Sequence, residues 1–438
     1  MLDSPSSRRG NASLDAVLAD ARQRFTAANP RSLERHQQAA SSLPGGNTRA
    51  VLWYRPFPLT LVSGDGCHVT DLDGHRYVDL VSEYSAGLYG HSDKTIAAAL
   101  KEVIDQGLLL GAPNRFEARY AAAIVERFPA VERVRFCNSG TEANIMALSA
   151  ARAISGKSKI MAFREGYHGG VLTFAHGGSP LNLPFPFVFA DYNDTEGTVR
   201  LIEELGDDLA AVIIEPMMGG GGCIPAERAF LAALREATAK AGAFLIFDEV
   251  MTSRLSPGGR QALLDIIPDM TTLGKYIGGG MSFGAFGGRR DLMRYYDPRD
   301  GKALIHAGTF NNNVLTMAAG YAAMSRLLTP ERSVALNARG DALRERLAET
   351  FARARAPYYV TGLGSVMTIH AAGDPARASM LKDLMFFDLV RHGYYIARRG
   401  MIALSLPVTD EDVDGCVAAV EAIVNARGDV YSAMQMAS

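Results

Sequence analysis

Residues 244–250 read Phe-Leu-Ile-Phe-Asp-Glu-Val, four apolar side chains followed at once by two acids. A short run that is apolar on both faces is typical of a strand covered on both sides, as strands of parallel sheets are. Similar apolar runs occur at residues 134–137, 159–163 and 211–215, and helix-length segments separate them. This alternation predicts an α/β domain built on a mostly parallel sheet with helices on both faces.

Two acids stand at the ends of these strands. Ligands of open α/β sheets collect at the carboxyl ends of the strands, so we expect Asp248 and Glu215 on the ligand side. An ionised Asp248 could keep a pyridinium nitrogen protonated and make such a ring an electron sink. Glu215 opens a run that includes four glycines, at residues 219–222. A carboxylate that caps the next turn, or a plain structural loop, remains the alternative at each place.

Lys275 lies in a segment of glycines and apolar residues, 271–285, which reads TTLGKYIGGGMSFGA. A lysine held where water is scarce loses part of the solvation of its ammonium form, so its pKa falls and it can attack an aldehyde. The glycines would let the backbone approach a bulky planar ligand. A surface lysine in a glycine-rich loop is the alternative interpretation.

Two further segments contain candidate ligand-binding residues. Residues 136–144 read Phe-Cys-Asn-Ser-Gly-Thr-Glu-Ala-Asn, a strand that turns into a helix, and the N–H groups and hydroxyls of such a turn suit a phosphate monoester. An ordinary Ser/Thr helix cap is the alternative. Residues 165–170 place Tyr167 and His168 between glycines, an aromatic pair suited to stacking on a planar ring, or simply a packed turn.

The remaining pattern predicts a second, smaller α+β domain. An amphipathic helix is expected at residues 14–25, ending near 29–30, followed by an antiparallel meander at 59–80. Towards the other end we expect a long helix at 332–355, short strands within 358–370 and 394–406, and a final helix at 410–426. We therefore divide the chain into an N-terminal segment that is part of the small domain (1–70), a large domain (71–325) and the C-terminal small domain (326–438).

Composition excludes several classes of function. The 45 basic and 47 acidic residues give a formal net charge of −2, so nothing favours nucleic acid or an anionic membrane as a partner. Cys67, Cys137, Cys223 and Cys416 lie far apart without metal-ligand spacing, which predicts reduced thiols and no metal site. No apolar run is long enough to span a membrane, and the polar first dozen residues, expected to be a flexible tail, contain no secretory stretch. We expect a cytoplasmic enzyme.

Taken together, the phosphate-type turn, the aromatic loop, the strand-end acid and the lysine resemble, in that order, the class III (ω-) aminotransferases of pyridoxal-5′-phosphate (PLP) fold type I. This family includes glutamate-1-semialdehyde aminomutase, and the likeness extends over about residues 42–424. The resemblance implies a homodimer with PLP as cofactor and shared active sites. The implied cofactor residues are Ser139, Gly140 and Thr141 for the phosphate, Tyr167 and Val250 for the two faces of the ring, Asp248 for the ring nitrogen, Lys275 for the Schiff base and Thr309 from the neighbouring subunit, with Glu215 beside them.

Within the family, residues 44–49, 56–59, 83–87, 248–255 and the stretches around 399–407 are similar to those of β-amino-acid transaminases. The likeness implies a β-amino acid with an aryl or alkyl group as amino donor and 2-oxoglutarate or pyruvate as acceptor. Arg49 and Arg399 then become candidates for the substrate carboxylate, because an arginine fork matches a carboxylate bidentately. Val51 and Tyr84 are candidates for apolar contacts. Whether Arg398 or Arg399 faces the pocket stays open at this point.

Other interpretations of the same residues remain. An aminomutase of the glutamate-1-semialdehyde type would use the same cofactor residues. A catalytically silent regulator with this fold is less favoured, because such a protein has no chemical reason to keep both Lys275 and Asp248. The pattern also departs from the family in one place: many members have Gly-Phe-Arg after the strand-end acids, whereas Ser253-Arg254-Leu255 shifts the arginine by one residue. The role of that arginine is therefore not transferred to Arg254.

Overall fold

The computed structural model describes residues 13–436. Its helices are α1 (Leu14–Ala28), α2 (Pro30–Ala40), α3 (Lys94–Ile104), α4 (Glu117–Arg127), α5 (Gly140–Ser155), α6 (Thr195–Leu205), α7 (Arg228–Lys240), α8 (Gly259–Leu264), α9 (Arg290–Met293), α10 (Val314–Ala322), α11 (Pro330–Arg353), α12 (Pro375–Arg391), α13 (Asp410–Ala426) and α14 (Gly428–Met436). Its strands are β1 (Leu61–Asp65), β2 (His68–Asp71), β3 (Arg76–Asp79), β4 (Arg133–Cys137), β5 (Lys159–Phe163), β6 (Phe187–Ala190), β7 (Leu209–Ile214), β8 (Met217–Met218), β9 (Ile224–Pro225), β10 (Phe244–Asp248), β11 (Met270–Gly274), β12 (Gly284–Gly288), β13 (Tyr358–Leu363), β14 (Val366–Ala371), β15 (Tyr394–Tyr395) and β16 (Met401–Ala403).

The main sheet has seven strands in the order β4-β12-β11-β10-β7-β5-β6. Its strands run parallel from β11 across to β6, and only β12 pairs antiparallel with both of its neighbours. The predicted mostly parallel sheet is therefore confirmed. Strand β7 is buried at every position, as expected of a strand covered on both faces.

Successive side chains of the central strands enter different cores on the two faces of this sheet. Ile246 of β10 packs with apolar residues of α5, whereas Leu245 and Phe247 pack with those of α7. This alternation fixes the register of β10, because a slip by one residue would exchange the two faces. It also fixes where the strand ends, with Asp248 as its last residue.

The N-terminal region differs from the expectation in two ways. Helix α1 begins at the N-cap Ser13, and a second helix, α2, follows directly at Pro30, where proline is well tolerated as the first helical residue. The predicted meander is confirmed as β1, β2 and β3, but β15, from far along the chain, adds a parallel fourth strand. The tail expected over the first dozen residues lies outside the described residues.

The C-terminal region packs three long helices around a three-stranded sheet, β13-β14-β16. Helix α11 confirms the long predicted helix within two residues at each end, and α13 matches its predicted range. The expectation that α13 is the final helix is wrong, since α14 follows it, and α12 was not predicted.

Two predictions made for the whole chain concern its cysteines and membrane-spanning helices. All four cysteines are buried and form no disulfide. Between residues 13 and 436, no helix is both long enough and apolar enough to cross a membrane.

The contact between α11 and the β13–β14 turn leads to a stability prediction. A Cβ atom at Gly340 would lie 2.1 Å from the backbone oxygen of Gly364. We expect Gly340→Ala to destabilise the protein by about 1–3 kcal/mol through overpacking, although alanine favours helix by about 1 kcal/mol. The matched control is Gly428→Ala in α14, where a Cβ meets no atom within 4 Å. Apparent melting temperatures check this, and a Gly340→Ala variant as stable as the control would contradict it.

Candidate active site

A cavity of about 380 Å³ lies at the carboxyl ends of the central strands. Most of the predicted site residues line it, namely Arg49, Val51, Tyr84, Gly140, Thr141, Tyr167, Glu215, Asp248, Val250, Lys275 and Arg399. The fold thus brings together residues that are more than 300 positions apart in the sequence. Ser139 and Thr309 are the two predicted residues that do not line it.

Lys275 follows the last residue of β11 and points into this cavity with a left-handed backbone (φ 55°). Burial lowers the pKa of its ammonium group to about 8, although the negative charges of Asp248 and Glu215 act in the opposite direction. At pH 7 about a tenth of the side chain is therefore a neutral amine, far more than for an ordinary lysine with a pKa of about 10.4. A neutral amine is the form that attacks an aldehyde.

Asp248 is almost fully buried and is held by three donors. Its Oδ2 atom lies 2.8 Å from Asn144 Nδ2 and 2.8 Å from His168 Nδ1, and its Oδ1 atom accepts a hydrogen bond of 3.0 Å from the Val250 N–H. Thr272 in turn donates to Asn144 Oδ1 at 2.6 Å. Each partner comes from a different element, so the carboxylate is fixed in position by α5, β11 and the loop after β5.

His168 corrects one expectation. The sequence places it beside Tyr167 as a second ring for stacking, but the structure buries it to 3% exposure against Asp248, while Tyr167 stays 48% exposed in the cavity. Burial alone would lower the pKa of His168, but the hydrogen bond and charge of Asp248 raise it above its usual value. His168 and Asp248 therefore form a buried, hydrogen-bonded pair.

Glu215 fixes the aromatic loop at the other side of the cavity. Its carboxylate accepts hydrogen bonds from the Tyr167 and Gly219 N–H groups, each at 2.9 Å. Burial raises the pKa of Glu215, the charge of His168 opposes this rise, and the charge of Asp248 adds to it. The side chain therefore links the loop with Tyr167 to the glycine-rich run after β7.

Neighbouring residues pack closely around the predicted phosphate-binding turn, residues 139–141. Ser139 is the N-cap of α5, and its hydroxyl accepts a hydrogen bond from the Glu142 N–H at 3.1 Å. A Cβ added at Gly140 would lie 2.8 Å from the Val250 side chain, and one added at Gly169 would lie 2.2 Å from Thr141 Oγ1. The helix N-terminus thus opens into the cavity between Thr141 and Val250, where a dipole and free N–H groups favour an anion.

At the mouth of the cavity the structure distinguishes the two neighbouring arginines. Arg399 lines the cavity and lies over the Tyr84 ring, 5.4 Å from its centroid. Arg398 instead pairs with Asp383, which also binds Arg22 at 2.7 Å. Among the described residues no carboxylate forms an ion pair with Arg399, whereas Arg49 pairs with Glu83. Arg399 can therefore bind a carboxylated ligand without first breaking an ion pair.

Comparison with known proteins places this site in a family. The model of the family described as aminotransferase class III matches residues 51–424. The chain belongs to the class III aminotransferases. It is 50% identical to the β-phenylalanine transaminase of Variovorax paradoxus over 95% of this chain and 98% of that protein. It is 37% identical to a glutamate-1-semialdehyde 2,1-aminomutase of Desulforudis audaxviator over 89% of this chain and 96% of that protein.

Solved structures agree with this assignment. The crystal structure of the β-phenylalanine aminotransferase from Variovorax paradoxus superposes with a TM-score of 0.93 over 95% of this chain and 98% of that chain. A transaminase with PLP bound superposes with a TM-score of 0.86 at 31% identity, over 92% of this chain and 99% of that chain. The fold type I architecture and the family resemblance expected from the sequence are confirmed.

The residues of this aminotransferase fit PLP. The cavity offers an amine of lowered pKa, a buried carboxylate without an arginine or lysine partner among the described residues, and a helix N-terminus for an anion. The sequence pattern missed His168, Asn144 and Thr272 as supports of the carboxylate. A polar residue on the buried face of α5, Asn144, was the available signal, because buried amides need partners.

Other candidate sites lie away from these residues. A second cavity, of about 410 Å³, lies between α1, α12 and the β2–β3 turn, and no predicted site residue lines it. Cys67, His68 and Asp412 form a group of potential metal ligands within 4.8 Å of one another. The Asp412 carboxylate also caps α13 by accepting from the Thr409 N–H and hydroxyl.

The lowered pKa of Lys275 predicts the pH dependence of its reactivity in the protein freed of cofactor. Below about pH 8 the ammonium form dominates, so the rate of reaction with pyridoxal should rise about tenfold per pH unit and level off above pH 8. The rate is measured by stopped-flow absorbance, and Lys275→Ala provides the background from other lysines. A rate that keeps rising to about pH 10, as for an ordinary lysine with a pKa of about 10.4, would contradict the prediction.

Proposed function

We propose that this chain is a PLP-dependent transaminase that moves the amino group of a β-amino acid, such as β-phenylalanine, to 2-oxoglutarate or pyruvate. One observation carries the proposal: a lysine of lowered pKa, a buried carboxylate and an arginine without an acidic partner share one cavity. The 50% identity to a β-phenylalanine transaminase supports the substrate class. The aminomutase alternative has weaker support, since the aminomutase relative is 37% identical.

The cofactor residues have separate roles in this proposal. Bound PLP supplies an aldehyde for the amine and a ring that withdraws electrons from the reacting carbon. Lys275 would hold the aldehyde at rest, and its free amine would move the proton of the substrate carbon as a general base of suitable pKa. Asp248, held by His168 and Asn144, would pair with the ring nitrogen.

The remaining cofactor residues orient the ring and its phosphate. Tyr167 and Val250 line the cavity and would cover the two faces of the ring, and Glu215 holds the loop of Tyr167 in place. Gly140 and Thr141 bind the phosphate at the N-terminus of α5. Ser139 would bind the phosphate with them, since its hydroxyl accepts from the Glu142 N–H and keeps its own proton to donate.

The substrates bind at the mouth of the cavity. Arg399 receives the carboxylate of the β-amino acid, and Arg49 can add a second contact once it leaves Glu83. Val51 and Tyr84 provide apolar surface for an aryl or alkyl group. Both half-reactions use this pocket, so the carboxylate of the oxo acid meets the same arginines.

The protein is also proposed to act as a homodimer in the cytoplasm. Thr309 lies outside the cavity of its own chain, in a surface depression that it shares with the exposed side chains Leu108, Leu109, Leu110 and Phe310. Ile305, four residues before it in the sequence, is also exposed. Leu109 is 74% exposed and Ile305 90%, and exposed patches of this kind mark interaction surfaces. Burying them against a second copy would bring Thr309 of the partner subunit to the phosphate. Four unpaired cysteines fit a reducing compartment.

We also propose the division of the chain into an N-terminal segment (1–70), a large domain (71–325) and a C-terminal small domain (326–438). Strand β15, from the C-terminal region, pairs with β3. Helix α1 packs against α12 through Phe25 and Phe387, whose ring centroids are 5.1 Å apart. The α1–α12 contact joins the N-terminal segment to the C-terminal region, whereas β3 lies at the start of the range given to the large domain.

The substrate proposal is tested by turnover of β-phenylalanine with 2-oxoglutarate, followed as formation of glutamate. We expect Arg399→Met to lower kcat/KM for β-phenylalanine by about tenfold or more, because a charged hydrogen bond contributes about 1.5–3 kcal/mol. The kcat/KM for 1-phenylethylamine, which has no carboxylate, should change little, because kcat/KM for the donor reports only the first half-reaction. Arg398→Met is the matched control, since Arg398 pairs with Asp383 outside the cavity.

Two results would contradict the substrate proposal. A wild-type enzyme that turns over other amines but no β-amino acid would exclude the substrate class. Equal losses for both amines in Arg399→Met would exclude a carboxylate role for Arg399.

The dimer proposal is tested by Leu109→Asp. A charge on this exposed apolar surface should give a monomer in sedimentation velocity, with loss of transaminase activity because Thr309 is no longer supplied by the partner subunit. Val334→Asp is the control, since Val334 is 58% exposed on α11, away from this patch. A Leu109→Asp variant that sediments like the unmodified enzyme would refute the assigned surface.

A further inference from the structure

Four consecutive residues beside the cavity adopt left-handed backbone conformations: Ser82, Glu83, Tyr84 and Ser85, with φ of 43°, 47°, 53° and 76°. None is glycine, and L-residues in this region cost about 1–2 kcal/mol each. A run of four such residues persists only where the surroundings over-determine it, and such strain concentrates at functional sites. This turn therefore needs an external support.

The turn presents two of its side chains to the cavity and buries the other two. Glu83 and Tyr84 line the cavity, while Ser82 and Ser85 are 2% and 0% exposed. Tyr84 contacts two arginines: the guanidinium carbons of Arg49 and Arg399 are each 5.4 Å from the centre of its ring. The position of Tyr84 thus sets the spacing of the two candidate carboxylate ligands.

The start of the turn is held locally. Asp79 Oδ1 accepts hydrogen bonds from the Val81 and Ser82 N–H groups at 2.9 and 3.0 Å. The Gly87 N–H donates to Ser82 O at 2.7 Å and closes the turn. A Cβ at Gly87 would lie 3.0 Å from the Ser82 carbonyl carbon, so this close approach requires glycine.

The end of the turn is held by Arg254, a residue 1% exposed. Its Nη1 donates to Ser85 O at 3.1 Å, its Nε donates to Ser365 Oγ at 3.1 Å, and its Nη2 contacts Leu404 O. Among the described residues no carboxylate pairs with it, and burial lowers its pKa to about 10, so it stays charged at neutral pH. A buried cation without a counter-ion is costly, and here it is compensated only by three fixed acceptors.

The Arg254 contacts also connect two parts of the chain. Ser365 and Leu404 belong to the C-terminal region, on the β13–β14 turn and just after β16, while Arg254 follows β10 in the large domain. The planar fork of arginine can satisfy three acceptors in different directions, which a lysine ammonium on its flexible stem cannot do in the same fixed geometry. The guanidinium is therefore suited to holding the turn against both regions at once.

We propose that Arg254 is a positioning residue for substrate recognition: it holds the left-handed turn 82–85 so that Tyr84 keeps Arg49 and Arg399 at the spacing that binds a substrate carboxylate. This inference rests on the proposed function and assigns the carboxylate selectivity of the site to a residue that does not touch the substrate.

The test compares Arg254→Lys and Arg254→Met in the holoenzyme. We expect kcat/KM for β-phenylalanine to fall about tenfold in Arg254→Met, mainly through KM, and less in Arg254→Lys, while kcat/KM for 1-phenylethylamine changes less than threefold. The visible absorbance of the bound cofactor should be kept. Arg260→Met is the matched control, since Arg260 belongs to the same segment, on α8, and does not line the cavity.

Trp53, the single tryptophan, gives a second readout that needs no turnover. It lies two residues after Val51, whose carbonyl oxygen accepts a hydrogen bond from the Tyr84 hydroxyl at 3.3 Å. We expect acrylamide to quench Trp53 more strongly in Arg254→Met. Fluorescence titration with 3-phenylpropionate, which has the aryl and carboxylate groups of β-phenylalanine but no amine, should show a dissociation constant raised about tenfold.

A second pair of variants tests the turn should Arg254→Met fail to fold. Glu83→Gly and Glu83→Pro both remove the exposed carboxylate, but only proline excludes the observed φ of 47°. We expect 3-phenylpropionate to bind at least fivefold more weakly to Glu83→Pro than to Glu83→Gly. Equal affinities in this pair would overturn the inference.

The outcomes separate this inference from the proposed function. A wild-type enzyme that does not turn over β-phenylalanine would contradict the proposed function alone, because the affinity for 3-phenylpropionate still decides the role of Arg254. Equal losses for both amines in the Arg254 variants, together with loss of cofactor absorbance, would show a merely structural residue and overturn the inference. An unchanged affinity for 3-phenylpropionate in Arg254→Met would overturn it as well.

Discussion

A carboxylate at the end of a fully buried strand must be compensated by hydrogen bonds, and Asp248 receives them from Asn144, His168 and the Val250 N–H. Each donor belongs to a different element, so α5, the loop after β5 and the turn after β10 have to meet at one point. Thr272 extends the network to β11, the strand that ends beside Lys275. The relative placement of the acid and the lysine thus depends on satisfying one buried charge.

Glycine in β12 allows the phosphate turn to reach this point. A Cβ at Gly284 would lie 2.1 Å from Ser139 O, and one at Gly288 would lie 2.3 Å from Asp269 O. Glycine normally weakens a strand, but here it marks a close approach of neighbouring backbone. The start of α5 can therefore lie directly over the sheet, close to Val250.

Much of this arrangement could be predicted because its signals are local. A buried strand that ends in Asp248, and a helix start at Ser139, are visible within a few residues. Contacts between distant residues are not: His168 and Asn144 lie 80 and 104 positions from Asp248, and only the fold shows that they bind it. The choice between Arg398 and Arg399 is not visible in the local sequence either, because it is decided by the position of Asp383 on α12. Helix α12 is buried on most sides, so it lacks the single apolar stripe by which surface helices are recognised.

The small sheet β1-β2-β3-β15 has a consequence for how the chain is made. Strand β3 leaves the ribosome early, whereas β15, its parallel partner, is among the last segments to be synthesised. At about 5–20 residues per second, the first three strands wait roughly 15–60 seconds for the fourth. During translation, the edge of β3 is an unpaired strand in a nascent chain, where a chaperone could protect it until the C-terminal segment arrives.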